Sequence, residues 1–318
     1  MSSLTLPSGS KMPIVGFGLW KVNKDTCAET VYNAIKAGYR LFDGAADYGN
    51  EQEAGQGVKR AIDEGLVKRE DLFITSKIWN SFHGKDVVRK TTELQLKWWG
   101  LDYFDLFLIH FPVSLKYVDP AERFPPGWHA ADGKTVELAD DPLQETWVEL
   151  EKVVDDGLAK NIGISNCSGS LLLDLYKYAR IKPANLQVEI HPYMTQEPLL
   201  NLAKALNLTV TAYSSFGPLG WYELDMGKGA QNLLQHDIVT KIATSSNKTP
   251  AQVLLRWATQ QGMLVVPKSN SKERLIENLK VLEGSDLTSE DMKALSGLNI
   301  NLRLNNPAEI DPRMSIFA

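Results

Sequence analysis

Short apolar runs recur along the chain, and each is followed by a polar turn and then by residues whose apolar positions repeat with a helical period. Runs that stay apolar instead of alternating with polar residues are typical of strands buried on both faces, as in a parallel sheet. Eight such runs are found, at residues 13–19, 39–43, 72–78, 104–110, 160–166, 185–191, 208–214 and 263–269. The stretches with helical period lie between them and include 25–37, 85–98, 143–156, 195–205 and 250–261.

The last of these stretches also has the residue types that begin a helix. Thr249 stands at the N-cap position, and Pro250 follows in the first turn, where its missing N–H costs nothing. We therefore predict a helix that begins at Pro250.

Eight strands that alternate with helices predict a closed (β/α)8 barrel, the TIM-barrel architecture of the α/β class. The alternative is an open doubly wound sheet, which usually has a glycine-rich first turn. Neither G-x-G-x-x-G nor G-x-x-x-x-G-K-[ST] occurs in the chain, so the barrel is favoured. We predict a single domain over residues 1–318, with long and therefore functional loops after strand 4 (111–142) and strand 7 (215–237).

Composition narrows the class of protein further. The chain has 318 residues, 43% of them hydrophobic, and a formal net charge of −5 with scattered Lys and Arg. These features speak against nucleic acid or an anionic membrane as partner. No leader-like or membrane-length apolar segment is seen, and the two cysteines lack the spacing of a metal site, so a cytoplasmic protein without a bound metal is expected.

Polar side chains stand at the ends of several predicted strands, where a (β/α)8 barrel builds its active site. Lys77 is the most informative, because a lysine inside an apolar run is costly to bury without a counter-charge. Asp43 ends the neighbouring strand and can supply that charge, and Tyr48 follows five residues later. His110 ends the fourth strand. The sequence thus predicts that Asp43, Lys77, Tyr48 and His110 share one site.

These four residue types suit the polarisation of a carbonyl group. A lysine cation beside Tyr48 is expected to lower the phenol pKa from its usual value near 10 and so make it a proton donor. A neutral His110 could orient the carbonyl oxygen. No nucleophile with an adjacent base is evident, so a hydride from a cofactor is the natural attacking group. The segment 265–274 offers a phosphate receptor, with cationic, hydroxyl and amide groups at Lys268, Ser269, Asn270, Lys272 and Arg274.

At this point the chain closely resembles a known family. The stretches "MPIVGFGLWKV", "FDGAADYGNE", "ITSKIW", "IHFP", "LQVEIHPY" and "VVPKSNSKER" are similar to those of the aldo-keto reductases, and among them to the fungal xylose (aldose) reductases. The resemblance runs from Met12 to about Asn306. It implies a (β/α)8 barrel that reduces an aldose with NADPH, or with NADH as the alternative, as a homodimer.

The resemblance also implies roles for individual residues. The catalytic tetrad would be Asp43, Tyr48, Lys77 and His110, with Tyr48 as the general acid. Contacts to the cofactor would come from Ser165, Asn166, Gln187, Tyr213, Ser214, Ser215, Phe216, Glu223, Lys268, Ser269, Asn270, Arg274, Glu277 and Asn278. The sugar pocket would be lined by Trp20, Asp47, His110, Phe111, Trp128 and Asn305.

Two further readings compete with D-xylose reduction. A Schiff-base aldolase also places a lysine at a barrel strand end, but it needs that lysine unpaired. A barrel that holds NADPH and acts as a regulatory subunit is the alternative from another class. Within the reductase reading, L-arabinose and other aldehydes compete with D-xylose, and Glu223 bears on NADH use because it stands where some relatives contact the adenine ribose.

Overall fold

The computed structural model describes residues 2–318. A short antiparallel hairpin comes first, formed by β1 (Ser3–Thr5) and β2 (Lys11–Pro13). Eight parallel strands follow: β3 (Phe17–Gly18), β4 (Leu41–Asp43), β5 (Phe73–Ile78), β6 (Leu106–Ile109), β7 (Ile162–Ser165), β8 (Asn185–Glu189), β9 (Thr209–Tyr213) and β10 (Leu264–Val265). Each pairs with the next in chain order.

Hydrogen bonds between the residues just before β3 and the last strand, β10, close this sheet. The Gly16 amide donates to the Val265 carbonyl at 2.8 Å, and the Val265 amide donates to the Ile14 carbonyl at 2.9 Å. Val15 and Val265 form a parallel bridge at the same point. The structure therefore confirms the predicted (β/α)8 barrel.

Helices surround the barrel and connect its strands. They are α1 (Lys24–Ala37), α2 (Glu51–Asp63), α3 (Lys85–Trp99), α4 (Leu143–Asp155), α5 (Gly169–Tyr178), α6 (Glu197–Ala205), α7 (Asp237–Ser246), α8 (Pro250–Gln260), α9 (Lys272–Leu279) and α10 (Ser289–Ser296). The five predicted helical stretches correspond to α1, α3, α4, α6 and α8. The predicted start at Pro250 is confirmed, since Thr249 and Gln252 form a reciprocal capping box there.

The hydrophobic core lies in two places. One part fills the space between the strands and the helices, and includes Trp99, Trp147 and Trp257. The other lies inside the barrel, where Leu6 and Met12 of the N-terminal hairpin pack against strand residues such as Leu106. All six residues of β5 are buried, as expected for strands covered on both faces.

The first predicted strand is wrong in its extent. Of the predicted residues 13–19, Pro13 belongs to the hairpin strand β2, and only Phe17–Gly18 forms a regular barrel strand. The backbones meet closely at this point, since a Cβ on Gly18 would lie 2.5 Å from the Val266 carbonyl oxygen. The hairpin itself was not predicted, because its strands are too short to show an apolar alternation.

Two long loops leave the carboxyl ends of β6 and β9, as predicted. The first spans 110–142 and the second 214–236, the latter with short 3₁₀ turns. They lie at the end of the barrel where the predicted site residues also lie. Among residues 2–318 there is no helix long and apolar enough to cross a membrane.

Candidate active site

Neighbouring strands bring the predicted catalytic side chains to one end of the barrel. Asp43 is the last residue of β4, Lys77 lies near the end of β5, and His110 follows β6 directly. Tyr48 lies in a 3₁₀ turn, Ala46–Tyr48, just beyond β4. That turn ends at Gly49, whose φ of +69° is a conformation that glycine adopts at low cost.

The Lys77 ammonium is the centre of the site. It donates to Asp43 Oδ1 at 2.7 Å, to the Gly44 carbonyl at 2.8 Å and to the Tyr48 hydroxyl at 3.1 Å. Lys77 is fully buried and Asp43 is 3% exposed. All three ammonium protons are thus satisfied, which is what a buried cation requires.

This pairing argues against the aldolase reading. A Schiff-base lysine must be unpaired and neutral to attack a carbonyl. Burial lowers the pKa of Lys77, but the charge of Asp43 and its hydrogen bond oppose that shift. Lys77 is therefore paired with the Asp43 carboxylate and donates a hydrogen bond to the Tyr48 phenol.

The predicted direction of the Tyr48 pKa shift is wrong. Burial raises this pKa well above its usual value of 10, and the negative charges of Asp43, Asp47 and Glu51 raise it further. Desolvation of the phenolate therefore dominates over the nearby cation. Tyr48 is consequently a fully protonated donor at neutral pH, and Lys77 faces the phenolate only once the proton has left.

His110 lies beside this pair as a neutral imidazole. Burial lowers its pKa well below 6.5, and the Lys77 and His83 charges add to that shift. Its ring centroid lies 5.7 Å from that of Tyr48. The buried Nδ1 has no hydrogen-bond partner among residues 2–318. A neutral imidazole at His110 can therefore donate a hydrogen bond to an uncharged oxygen without adding a positive charge to the site.

Aromatic side chains form one wall of the site. Phe111 packs against His110 and Trp128, with ring centroids 4.9 Å apart in both cases. Trp79 contacts the same Trp128 ring at 4.8 Å, and its indole N–H donates to the Gly127 carbonyl at 3.1 Å. The structure therefore brings the predicted Phe111 and Trp128 together at the mouth of the barrel.

The other predicted substrate residues lie around the same mouth. The Asp47 pKa is raised to about 6 by burial, partly offset by a hydrogen bond from the Gly127 backbone. Trp20 packs against Trp221 of the loop after β9, with ring centroids 5.0 Å apart. The Asn305 amide donates to the Tyr213 hydroxyl at 3.2 Å.

Polar groups at the ends of β7, β8 and β9 form a connected set. Ser165 donates to the Gln187 carbonyl at 2.8 Å, and Tyr213 donates to Asn166 Oδ1 at 2.5 Å. The Gln187 amide nitrogen donates to Asp43 Oδ2 at 2.7 Å, so this nitrogen orients the carboxylate that also binds Lys77. Amide and hydroxyl groups can hydrogen-bond to the carboxamide of a nicotinamide, and the adjacent ring of Tyr213 can pack against its aromatic ring.

The loop after β9 carries the next predicted contacts. Ser214 accepts a hydrogen bond from the Trp221 indole at 3.3 Å, while Ser215 is buried and Phe216 half-buried. Glu223 is exposed and forms a salt bridge of 3.4 Å with Lys21.

The predicted phosphate receptor is rich in unneutralised positive charge. Within the described chain, Lys268 and Arg274 form no salt bridge. Desolvation lowers the Lys268 pKa, the charge of Glu223 opposes that shift, and the nearby charges of Lys21 and Arg274 add to it. Cations that repel each other in this way favour a bound anion. Ser269 is buried and Asn270 exposed beside them. The donor set therefore fits the phosphates of a dinucleotide.

The two residues predicted for the adenine lie on α9. Glu277 accepts a hydrogen bond from the Thr249 hydroxyl, which ties α9 to the start of α8. Asn278 is 3% exposed. Its contribution to an adenine contact remains a prediction.

Three residues of this region were missed by the sequence analysis. Trp79 follows β5 directly and lies two positions after Lys77, so the alternation of extended backbone was a signal available in the sequence. Glu51 follows the Tyr48 turn, is 1% exposed and accepts hydrogen bonds from Ser76, Gln95 and Trp99. Lys21 has no local pattern that marks it. Glu189 is different, because the sequence places it on one strand face with His191, a pair that could suggest a metal site but has no third ligand at workable spacing. Among residues 2–318, no group of three or more His, Cys, Asp or Glu could hold a metal ion.

Comparison with known proteins agrees with this geometry. A sequence model described as the aldo/keto reductase family matches residues 14–300. The chain is 59% identical over 317 residues to a probable NAD(P)H-dependent D-xylose reductase of Emericella nidulans, covering 99% of both chains. It is 57% identical over 307 residues to an NAD(P)H-dependent D-xylose reductase of Aspergillus niger, covering 96% of each.

A solved structure is also similar to this protein over nearly its whole length. The aldose reductase from Schistosoma japonicum superimposes with a TM-score of 0.88 at 38% identity, covering 99% of this chain and 98% of the other. Fold, site geometry and sequence similarity thus agree over nearly the whole chain. The protein belongs to the aldo/keto reductase family.

Proposed function

We propose that the protein catalyses the NAD(P)H-dependent reduction of an open-chain aldose, and specifically of D-xylose to xylitol. The observation that carries this proposal is the buried Asp43–Lys77–Tyr48 chain of hydrogen bonds, with a neutral His110 beside the phenol. The named activity of the fungal relatives supports the choice of D-xylose as substrate.

The four side chains have separate roles in this proposal. His110 orients the aldehyde oxygen, and Tyr48 gives its proton to that oxygen as the carbonyl becomes an alcohol. An alkoxide is a far stronger base than a phenolate, so the raised pKa of Tyr48 does not prevent the transfer. Lys77 then stabilises the phenolate, and Asp43 keeps the lysine charged and in place.

The cofactor contacts follow from the donor groups described above. When bound, the reduced nicotinamide supplies the hydride to the aldehyde carbon. Ser165, Asn166 and Gln187 would hold its carboxamide, and Tyr213 would pack against its ring. The loop residues Ser214, Ser215 and Phe216 would cover the pyrophosphate. The remaining contacts would all lie at the adenosine end. Glu223 would contact the ribose, Glu277 and Asn278 would contact the adenine, and the 2′-phosphate of NADPH would be bound by Lys268, Ser269, Asn270 and Arg274.

The substrate contacts combine apolar walls with two hydroxyl-binding groups. Trp20, Phe111 and Trp128 would enclose the chain of the sugar, while Asp47 and Asn305 would bind its hydroxyls. Other aldoses such as L-arabinose present the same aldehyde with a different arrangement of hydroxyls. We therefore propose that the protein also reduces them, less efficiently than D-xylose.

We further propose that residues 1–318 form one domain, and that the protein is a cytoplasmic homodimer. The continuous eight-stranded barrel supports a single domain. Both cysteines, Cys27 and Cys167, are free and buried, which suits a reducing compartment. Light scattering of the purified protein tests the dimer, and a monomeric mass would contradict it.

The test of function is the loss of reduced-nicotinamide absorbance with D-xylose, run in parallel with NADPH and NADH. Oxidation of either cofactor that depends on D-xylose is the expected result. Oxidation with other aldehydes but not with D-xylose would keep the reductase and reject the sugar. Tight NADPH binding with no turnover of any aldehyde would support the regulatory-subunit reading instead.

A further inference from the structure

Glu189, the last residue of β8, carries a fully buried carboxylate that the proposed mechanism does not use. Oε1 accepts from His191 Nε2 and from the Leu304 amide, both at 2.9 Å. Oε2 accepts from the Leu304 amide at 3.1 Å and from the Asn305 amide at 2.9 Å. A buried carboxylate needs such donors, since its desolvation is otherwise very costly.

The segment that Glu189 holds lies beyond the last helix, α10. It runs without regular secondary structure through residues 299–306. The Leu302 amide donates to the Tyr193 carbonyl at 2.9 Å, and Arg303 donates to Gln196 Oε1 at 3.1 Å. These contacts position residues before Leu304, whereas Glu189 alone binds the two consecutive amides of Leu304 and Asn305.

These two amides determine where the side chain of Asn305 lies. Its amide nitrogen donates to the Tyr213 hydroxyl at 3.2 Å, and that hydroxyl donates to Asn166 Oδ1 at 2.5 Å. A continuous chain of hydrogen bonds therefore runs from the core carboxylate to the mouth of the barrel.

We infer that Glu189 is a positioning residue for sugar recognition: its carboxylate holds the backbone at Leu304 and Asn305 so that Asn305 reaches the hydroxyls of the aldose. This inference rests on the proposed function, because it assigns that site its hydroxyl specificity. Glu189 is hydrogen-bonded to none of the four proposed catalytic side chains among the described residues, so it acts through Asn305 and not on the aldehyde.

A metal site built on Glu189 and His191 is the competing explanation for this pair. The structure argues against it in two ways. No third ligand completes a cluster within residues 2–318. Both carboxylate oxygens already accept backbone hydrogens, and His191 Nε2 is engaged by the carboxylate itself.

The test compares two aldehydes that differ in their hydroxyls. E189Q keeps the size of the side chain but replaces one acceptor oxygen with a donor that repels the backbone amides. With NADPH, kcat/KM for D-xylose should fall by about 10- to 100-fold, mainly through KM, since a charged hydrogen bond is lost. For propanal, which has no hydroxyl, kcat/KM should change by less than about threefold because the tetrad is untouched.

A double-mutant comparison ties the effect to Asn305. N305A should show the same selective loss for D-xylose. If Glu189 acts through Asn305, then E189Q combined with N305A should be no worse than N305A alone. Additive losses would mean that Glu189 acts by another route and would overturn the inference.

E151Q is the matched control. Glu151 is 5% exposed and also accepts two consecutive backbone amides, those of Arg180 and Ile181, but it lies on the outer helix α4. The ratio of D-xylose to propanal activity should be unchanged in this variant. Should E189Q not fold, E189D carries the same test, because it keeps the charge and withdraws it by one methylene.

The outcomes separate this inference from the proposed function. Wild-type protein that reduces propanal but not D-xylose would reject the proposed substrate, and the inference with it. Wild-type protein that reduces both, while E189Q changes both equally, would overturn the inference alone. Faster hydrogen exchange of residues 299–306 in E189Q, together with the selective loss, is the result expected if the inference is correct.

Discussion

At the scale of single residues, the site depends on how buried charges offset one another. Lys77 can stay positively charged in the core because Asp43 and the Gly44 carbonyl accept its hydrogen bonds. Tyr48 stays protonated because burial disfavours the phenolate and so raises its pKa. The sequence identified these partners, since a lysine in an apolar run requires a counter-charge. It could not give the sign of the Tyr48 shift, which depends on the extent of burial.

Replacement of Tyr48 by phenylalanine should remove the proton donor and leave the remainder of the site in place. We expect Y48F to lower kcat for D-xylose by about a thousandfold or more, since general acid catalysis contributes up to about 10⁴-fold. NADPH affinity, measured by quenching of tryptophan fluorescence, should change little. Y32F, which loses a phenol on the outer helix α1, is the control. Near-normal turnover by Y48F would reject Tyr48 as the acid.

Glu51 is predicted to make stability depend on pH. Its pKa is raised from 4.5 to about 7, mainly by burial, so the folded state binds a proton more tightly than the unfolded state. The sign follows directly: stability is greatest below about pH 4.5 for this group and is lost as the pH rises through 7. E51Q has no such proton to lose.

The measurement is urea unfolding of both proteins from pH 5 to pH 8. Relative to wild type, E51Q should gain about 2 to 3 kcal/mol across this range, as expected for a shift of this size. E70Q, at an exposed glutamate, should show no such gain. A difference between E51Q and wild type that is independent of pH would show that Glu51 is not proton-linked.

At the scale of elements, local signals located the ends of the predicted helices better than the ends of the predicted strands. A helix shows its apolar period over many residues and its ends through capping residues, as Thr249 does for α8. The two-residue strands β3 and β10 carry too few positions to show any period, and their boundaries follow from pairing across the closure of the barrel. The N-terminal hairpin was missed for the same reason.

Loss of the α8 cap should have a measurable cost. T249A removes the hydroxyl that accepts from the Gln252 amide and donates to Glu277. We expect the free energy of unfolding to fall by about 1 to 2 kcal/mol, the usual range for an N-cap. T244A, at an exposed position inside α7, should be neutral or slightly stabilising because alanine favours helix. Equal effects of the two substitutions in urea unfolding would rule out the capping role.

At the scale of the whole molecule, closure of the barrel places distant parts of the chain at one mouth. Residues from Trp20 to Asn305 contribute to the proposed site, and Lys21 lies near Lys268 and Arg274 although most of the chain separates them. The protein as a whole has a net charge of −5, but Lys21, Lys268 and Arg274 lie together and make this part of the mouth locally positive. A cofactor phosphate at this point should therefore be recognised electrostatically.

Removal of Lys268 or Arg274 should weaken the binding of NADPH more than the binding of NADH. K268A and R274A are expected to raise KM for NADPH by about 10-fold or more. Each variant loses a charge-assisted contact to the adenosine 2′-phosphate, which NADPH has and NADH lacks. KM for NADH should change by less than about threefold, since NADH lacks that phosphate. K90A, an exposed lysine on α3, is the control. Equal changes for NADPH and NADH would mean that these residues do not bind the adenosine phosphate.

The sequence by itself determined the barrel class, the order of its strands and helices, and the identity of Asp43, Tyr48, Lys77 and His110 as partners. These follow from local periods and from the cost of burying a lone charge, both of which can be seen in neighbouring residues. Only the tertiary structure decided the closure of the barrel at Val15 and Val265, the bond from Gln187 to Asp43, and the contact of Glu189 with Leu304 and Asn305. It also decided the direction of the Tyr48 pKa shift. Each of these depends on contacts between distant residues and on the exclusion of water, which no local pattern of residues encodes.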